Sequence, residues 1–273
     1  MGDFFWFILS KDRPLQLDGL LRSMHARAGA TVPCVVLYAV SSQRYLSAYA
    51  EVFDRHKNRN LDPVLEQDFK ADVLRIIASR QFKRIAFLVD DQVFIAPVHL
   101  KEILALDPNH ATYSLRLGKR ITRCQPLDIH TAIPPLLPLP GLPDHWLAWH
   151  WASGKGDWGG AGCIDGNVMS RAMVLRALED PLASGVRGPQ TLEMWLNESG
   201  MTPSVGICNV EPQVLNLAVN RVSAEPHLYP HGSVDADALL GRWEQGYQLC
   251  LRLIETMRSD SCHIICDIPL ERR

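Results

Sequence analysis

One stretch constrains the fold of this chain more than any other: an apolar run that ends in two adjacent carboxylates. Residues 85–89 show no alternation of apolar and polar side chains, which is typical of a strand covered on both faces. Asp90 and Asp91 follow directly, and such a pair is costly to bury without a cation. The stretch predicts a central strand of an α/β sheet. It is followed either by a solvated turn or by a site for a divalent metal and phosphate oxygens.

The composition sets mild limits on what the chain can do. With 273 residues it can bury the core of one large domain, or of a domain with a subdomain. A net charge of -2 argues against nucleic-acid binding through bulk electrostatics. No apolar stretch is long enough to span a bilayer, and the apolar residues 4–9 lack the basic leader of a signal peptide. We expect a cytosolic protein, either free or peripheral to the inner membrane.

The cysteines do not suggest a disulfide framework, because seven is an odd number and the chain is long. Cys262, His263 and Cys266 lie close together, but no second pair of metal ligands is near them in the sequence. At strand spacing, Cys262 and Cys266 would point to the same face as small hydrophobic residues. We interpret this segment as core packing and not as a zinc site.

Strands and helices alternate over the first 118 residues, which predicts a mainly parallel sheet. The strand patterns cover residues 4–9, 32–40, 84–89 and 111–117. Ligands of such sheets bind at the C-terminal ends of the strands, so the loop after the first strand is a candidate site. The polar residues of that loop are Ser10, Lys11, Asp12 and Arg13. The alternative is a capped connector without a ligand.

A glycine-rich segment lies in the second half of the chain. Residues 154–159 match the spacing of a dinucleotide-binding fingerprint, but more glycines follow where a helix should begin. We predict instead a mobile loop over residues 153–162 that carries one aromatic side chain, Trp158, and closes over ligands. Three tryptophans within residues 146–151 have aromatic faces that suit sugar rings or bases, but core packing is the favoured interpretation. The last helix is predicted over residues 235–257.

The order of these segments resembles the GT-A glycosyltransferases, closest to the bacterial family 2-like members. The resemblance rests on the loop at residues 10–14, on Asp90 and Asp91, and on residues 166–171 followed by a helix that contains Glu193. It implies an α/β fold with one GT-A-type domain, whose mostly parallel central sheet is flanked by helices. Its donor half, acceptor half and C-terminal helix with tail would cover residues 1–118, 119–230 and 231–273.

The resemblance implies transfer of a sugar from a nucleotide-diphosphate donor to the hydroxyl of a carbohydrate or glycoconjugate acceptor, with inversion. The expected setting is the synthesis of a bacterial surface polysaccharide. A divalent ion, Mn²⁺ or Mg²⁺, would neutralise the leaving diphosphate. Two other classes stay open at this point: a nucleotide-sugar-binding protein without activity, and a nucleotidyltransferase of similar fold.

The resemblance also suggests roles for single residues. The donor-binding residues would be Ser10, Lys11, Asp12, Arg13, Asp90, Asp91, Gln92 and Arg116. The acceptor loop would include Trp158, Gly159 and Gly160. Asp91 and Gln92 would hold the metal, although the family most often has a second, spaced aspartate where this chain has Gln92.

Two carboxylates compete for the role of catalytic base. Glu193 matches the acidic residue near a helix start in the family, and Asp165 follows the glycine-rich segment closely. Asp165 would otherwise orient a sugar hydroxyl. The alternative for Glu193 is a place in the first turn of its helix, where a carboxylate is stabilised by the helix dipole.

Overall fold

The structure of the chain, a computed structural model, describes residues 3–29, 31–125, 127–222 and 232–273. The strands of this part are β1 (Phe4–Lys11), β2 (Cys34–Ala39), β3 (Leu61–Leu65), β4 (Arg84–Val89), β5 (Gln92–Phe94), β6 (Ala111–Ser114), β7 (Arg123–Cys124), β8 (Ile129–His130), β9 (Trp146–His150), β10 (Asn167–Ser170), β11 (Val205–Asn209), β12 (Val214–Leu217), β13 (Tyr247–Leu249), β14 (His263–Ile264) and β15 (Leu270–Arg272). The α-helices are α1 (Pro14–Ala28), α2 (Gln43–Arg55), α3 (Phe69–Ala78), α4 (Leu100–Ala105), α5 (Arg171–Glu179), α6 (Pro189–Glu198), α7 (Ala236–Glu244) and α8 (Leu251–Glu255). Short 3-10 helices cover Trp151–Ser153, Gly156–Gly159 and Pro181–Gly185.

A sheet of eight strands forms the centre of the molecule, in the order β3-β2-β1-β4-β10-β6-β11-β9. The first four strands in this order are parallel to one another. β10 is antiparallel to both of its neighbours, β4 and β6, so β6 and its parallel partner β11 run in the same direction as β4. β9, at the edge, is antiparallel to β11. The prediction of a mostly parallel α/β sheet is therefore confirmed.

The apolar run at residues 85–89 is β4, and it is buried on both faces of the sheet. Ala86 and Leu88 belong to a core cluster that includes residues of α1, α2 and α7. Ile85 and Phe87 point the other way, into a cluster formed with α3, α5 and α6. Because side chains alternate between the faces of a strand, burial on both faces requires apolar residues at successive positions.

A second, smaller sheet brings three distant segments of the chain side by side in the order β14-β12-β5. Asn216 on β12 pairs with Gln92 on β5 in antiparallel register. The same residue pairs with His263 on β14 in parallel register. The segment that follows Asp91 therefore contacts the C-terminal region of the chain directly.

The C-terminal region differs from the sequence prediction, because one continuous helix over residues 235–257 is wrong. Gly246 has a φ of +82° and follows the end of α7, and β13 separates α7 from α8. Leu240, Leu249 and Ile254 nevertheless pack into the same core cluster. Because α7, β13 and α8 all bury apolar side chains in this cluster, their sequence shows the same spacing of apolar residues as one long amphipathic helix. None of the helices that the structure describes combines the length and the hydropathy of a membrane-spanning helix.

Candidate active site

Asp90 and Asp91 lie at the C-terminal end of β4, next to the C-terminal end of β1. Arg13 Nη1 donates to Asp90 Oδ1 and to Asp91 Oδ2, each at 3.0 Å. Asp90 Oδ2 accepts hydrogen bonds from the Ser10 hydroxyl at 2.8 Å and from the backbone N–H of Lys11 at 3.0 Å. The loop after β1 and the acidic pair after β4 therefore form one site.

In this first site two buried carboxyl groups share one guanidinium. Burial raises the pKa of Asp90 to about 6, since desolvation outweighs the charge of Arg13, and burial also raises the pKa of Asp91. Burial alone would lower the pKa of Arg13. The charges of the two carboxylates outweigh this effect and raise the pKa above its ordinary value, so Arg13 stays protonated. Asp90 and Asp91 therefore share one guanidinium, and when both carboxyl groups are ionised these three side chains together carry a negative charge.

The other loop residues have separate tasks. Asp12 adopts a left-handed conformation with a φ of 50°, which is uncommon for a residue other than glycine. Its Oδ1 accepts a hydrogen bond from the backbone N–H of Ser41 at 2.8 Å, which joins the loops after β1 and β2. The side chain of Lys11 is exposed to solvent at the edge of this site.

Gln92 does not fit the predicted role of a metal ligand. Its side chain is fully buried, and its Oε1 accepts a hydrogen bond from the backbone N–H of Val89 at 3.0 Å. Asp91 Oδ1, in contrast, is a buried oxygen without a hydrogen-bond partner among the described residues. Carboxylate oxygens are the ligands that hard divalent cations prefer, so Asp91 fits a metal ion and Gln92 does not.

A second group of carboxylates surrounds the segment that precedes β10. Asp165 Oδ2 accepts a hydrogen bond from Nδ2 of Asn216 at 3.0 Å and lies 3.1 Å from Nε2 of His263. On α6, Glu193 Oε2 accepts a hydrogen bond from the backbone N–H of Ile164 at 3.2 Å. Glu193 is the fifth residue of α6, and the first turn of that helix contains no acidic residue. The alternative of a first-turn dipole role for Glu193 is therefore wrong.

The two carboxyl groups of this second site have opposite pKa shifts. Burial and the charge of Asp165 raise the pKa of Glu193 to about 7. Burial also acts to raise the pKa of Asp165, but the hydrogen bond from His263 and the charges of His263 and Arg116 lower it below its usual value. At neutral pH Asp165 is therefore ionised, whereas the raised pKa of Glu193 lies close to neutral pH.

The second site offers three donor atoms to a metal but does not suit one. Cys163 Sγ and one oxygen of each of Asp165 and Glu193 lie within 4.8 Å of one another. Burial raises the pKa of the Cys163 thiol well above its ordinary value, so a metal ion would have to displace the thiol proton in order to bind there. The charge of Arg116 also acts on this cluster, which disfavours a further cation.

The two sites lie next to each other, where β4 ends and the neighbouring strand β10 begins. Since β10 is antiparallel to β4, the chain enters β10 beside the end of β4, where the backbone N–H of Gly166 donates to the Phe87 carbonyl at 2.9 Å. Gly166 has a φ of +99°, a conformation that favours glycine at this turn. After burial and Arg13, the largest influences on the pKa of Asp91 are the charges of Asp165 and His263.

Arg116 belongs to this second site and does not line the loop after β1. It is 4% exposed, and its Nη1 donates to Asp157 Oδ1 at 2.6 Å. Asp157 lies in the glycine-rich segment, in the 3-10 helix Gly156–Gly159. A buried guanidinium that is paired in this way is not available to a donor at the Asp90 site in the arrangement of the structure.

The glycine-rich segment is packed, so the prediction that Trp158 is an open aromatic residue in a closing loop is wrong. Trp158 is fully buried, donates from its Nε1 to the Ile121 carbonyl at 2.9 Å, and packs edge-on against Trp149. A Cβ atom at Gly162 would lie 2.5 Å from the backbone nitrogen of Asn197, so glycine allows close contact with α6. Gly159 is exposed and Gly160 is half-buried, at the end of the 3-10 helix Gly156–Gly159. The predicted burial of the tryptophans in residues 146–151 is confirmed, with 9%, 0% and 5% exposure.

Three residues of the site were not found from the sequence. His263 was interpreted as core packing, yet it contacts Asp165 across 98 positions of the chain. Asn216 binds the same carboxylate, and the Asn220 carbonyl accepts a hydrogen bond from Arg13. The available signal was an imidazole in an apolar segment and amides near the end of a strand, neither of which is specific.

Comparison with known proteins gives similarity at the level of structure. No protein-family model matches the chain, and no curated protein matches it. The chain is similar to the mannosyltransferase PcManGT from Pyrobaculum calidifontis, solved in complex with GDP-Man and Mn2+, with 15% identity over 77% of this chain and 57% of that chain and a TM-score of 0.42. It is also similar to residues 1–349 of TarS from S. aureus, with 8% identity over 77% of this chain and 58% of that chain and a TM-score of 0.44.

A further similarity is to 4-diphosphocytidyl-2C-methyl-D-erythritol synthase from Anaerococcus prevotii DSM 20548. The identity is 8%, the match covers 78% of this chain and 92% of that chain, and the TM-score is 0.43. The chain spans less than two thirds of the length of the PcManGT and TarS structures.

Proposed function

We propose that the chain transfers a sugar from a nucleotide-diphosphate donor to an acceptor hydroxyl. The observation that supports this most is the meeting of two different carboxylate sites at one edge of the sheet. One site has two carboxyl groups on one guanidinium beside a loop of a parallel α/β sheet, and in the other burial raises the pKa of Glu193 to about 7. Such a pair combines a place for a divalent ion, which would carry the charged leaving group, with a general base.

The donor would bind at the first site, in the loop that contains Ser10 and Arg13. Asp91 would hold a divalent ion through its free Oδ1. Such an ion, when bound, neutralises the charge that develops on the leaving diphosphate. Arg13 keeps the two carboxylates together, so that Asp91 presents this oxygen in a fixed direction.

Glu193 would be the base. Its carboxylate takes the proton of the acceptor hydroxyl as the hydroxyl oxygen forms a bond to the anomeric carbon of the sugar. The bond from that carbon to the diphosphate breaks at the same time, and the nucleoside diphosphate leaves with the electron pair. Attack opposite to the leaving group inverts the anomeric carbon.

Asp165 would orient the sugar or the acceptor. Its pKa is lowered, so it stays ionised and accepts hydrogen bonds without taking a proton at neutral pH. The bonds from Asn216 and His263 both go to Oδ2, which leaves Oδ1 for a sugar hydroxyl. Because its pKa is lowered, Asp165 is a weaker base than Glu193.

The experiment is a turnover assay with a panel of nucleotide-diphosphate sugars and hydroxyl acceptors, read out as release of nucleoside diphosphate. Glu193→Gln should lower turnover by roughly 10²–10⁴-fold, because that is the usual contribution of a general base, while donor binding measured by calorimetry persists. Glu198→Gln is the matched control, since Glu198 is an exposed carboxylate on the same helix. It should leave turnover unchanged.

Three results would contradict the proposal. Near-normal turnover of Glu193→Gln would remove Glu193 as the base. Binding of nucleotide sugars by the unaltered chain without any turnover would indicate a binding protein. Release of pyrophosphate from a nucleoside triphosphate and a sugar phosphate would indicate a nucleotidyltransferase.

A further inference from the structure

A buried ion pair, Arg116 with Asp157, acts electrostatically on the candidate base and is not explained by the reaction above. The side chains of Arg116 and Asp157 are each 5% exposed, and their charged atoms are 2.6 Å apart. Removing two charges from water costs several kcal/mol per ion, and their attraction offsets this only with good geometry. A buried ion pair therefore often adds little to the free energy of unfolding, and stability alone does not account for this one.

The ion pair fixes the glycine-rich segment against α6, the helix that carries Glu193. A Cβ atom at Gly160 would lie 3.2 Å from Arg116 Nη2, so the backbone of the segment approaches the guanidinium closely. Two residues further on, the backbone N–H of Gly162 donates to Asn197 Oδ1 on α6 at 2.8 Å. A continuous path of contacts therefore leads from Arg116 through the segment to the helix of the base.

The charge of Arg116 also reaches the base. Glu193 Oε2 lies 3.6 Å from Cys163 Sγ and accepts a hydrogen bond from the backbone N–H of Ile164 at 3.2 Å. The charges of Asp165, from the segment before β10, and of Arg116, from the segment after β6, also act on Glu193. Burial and Asp165 favour the protonated form of Glu193, whereas Arg116 and the Ile164 N–H favour the ionised form. Arg116 also favours the ionised form of Asp165, together with His263.

We propose that Arg116, held in place by Asp157, is a positioning residue for the candidate base. It fixes the glycine-rich segment against α6 and supplies a buried positive charge that acts on both Glu193 and Asp165. This inference rests on the proposed function, because it assigns a role to Arg116 in the same reaction. Arg116 touches neither donor nor acceptor in this scheme and acts only through the two carboxylates.

The test uses two variants that change the charge in opposite directions. Arg116→Gln removes the positive charge, so the midpoint of the rising limb of the pH–turnover profile should move up by about one pH unit or more. Asp157→Asn keeps a similar shape but leaves the charge of Arg116 uncompensated, so the midpoint should move down. A purely structural role would lower turnover in both variants without moving the midpoints apart.

Two controls separate charge from packing. Trp158→Phe removes the hydrogen bond to Ile121 from the same segment without changing any charge, so it should lower Tm and leave the midpoint in place. Arg116→Lys keeps the charge but loses the planar guanidinium, and its midpoint should stay close to that of the unaltered chain. If Arg116→Gln does not fold, Arg116→Lys and Asp157→Asn still provide the comparison.

The midpoint is also measured without turnover, by ¹³C NMR titration of the Glu193 carboxyl group, assigned with Glu193→Gln. Opposite shifts in this titration support the inference even if no sugar transfer is found, in which case only the proposed function fails. Unmoved midpoints, or shifts of the same sign in Arg116→Gln and Asp157→Asn, would overturn the inference.

Discussion

The two carboxylate sites contain similar groups but differ in whether a guanidinium contacts the carboxyl groups directly. In the first, Arg13 contacts Asp90 and Asp91 directly at 3.0 Å. In the second, the nearest guanidinium, that of Arg116, is paired with Asp157 and acts on Glu193 only through its field. A direct ion pair fixes charged groups in place, whereas a more distant charge leaves a carboxyl group free to exchange its proton. The first arrangement suits binding and the second suits proton transfer.

The strongest test of this comparison is removal of the direct cation. Arg13→Met leaves two buried carboxylates unpaired, and we expect the free energy of unfolding to fall by about 3–5 kcal/mol at pH 8. Without Arg13 the folded-state pKa values of Asp90 and Asp91 rise further. The protonated forms then relieve the cost, so the deficit should shrink as the pH falls towards 5. Urea unfolding at both pH values measures this.

Arg44→Met is the control for the Arg13 experiment. Arg44 pairs with Glu244 at the exposed surface, where ion pairs contribute little to stability. A loss of equal size in both variants, or a deficit for Arg13→Met that does not depend on pH, would show that the contact with Arg13 is not the feature that distinguishes the first site.

In the second site we expect a gain in stability, not a loss, when the carboxylate of Glu193 is replaced by a neutral group. The pKa of Glu193 is raised to about 7 from an ordinary value of 4.5, so the folded state binds this proton more tightly than the unfolded state. The stability that the group contributes is fully present below pH 4.5 and is lost as the pH rises through 7. Glu193→Gln should therefore be more stable than the unaltered chain at pH 8, by on the order of 1–3 kcal/mol.

That gain should vanish at pH 4, where both side chains are neutral, and urea unfolding across this range provides the measurement. Glu198→Gln, on the exposed face of the same helix, should stay within about 0.5 kcal/mol at both pH values. Destabilisation by Glu193→Gln at pH 8 would mean that the glutamate is held as a structural anion, as in the first site.

The smallest expected effect concerns the free oxygen of the first site. Asp91→Asn should reduce the enhancement of nucleoside diphosphate binding by Mn²⁺ by about tenfold, since loss of metal-site partners typically has effects of this size or larger. Calorimetric titrations with and without the ion test this, with the exposed Asp54→Asn as control. Unchanged, metal-dependent curves for Asp91→Asn would end the assignment of Asp91 as the metal ligand.

The sequence predicted the first site better than the second. The strand before Asp90, the loop with Ser10 and Arg13, and the meeting of the two at one edge of a parallel sheet all follow from local periodicity and general topology. The ion pairs of Arg13 with Asp90 and Asp91 could not be predicted from the sequence and are seen only in the structure. Gln92 was misjudged because nothing in the sequence indicates that its amide oxygen accepts the Val89 N–H.

In the second site the sequence signal was misleading in two places. Glycines in residues 153–162 suggested mobility, but Gly162 serves close packing against α6, and Trp158 is core. His263 lies 98 positions from its partner Asp165, so no local pattern connects them. Propensity and periodicity describe neighbours along the chain, and this site is held together by contacts between distant segments.

The place of β10 in the sheet has a consequence for how the molecule assembles during synthesis. Val168 on β10 pairs with Ala86 on β4 and Tyr113 on β6, so the sheet is continuous only once a late segment has inserted between two early ones. Contacts of such high sequence separation form slowly because loop closure must precede them. The emerging chain can join β1 to β4 and pair Arg13 with its aspartates well before Asp165 and Glu193 are in place. The residues to which we assign donor binding would then come together earlier in folding than those to which we assign proton transfer.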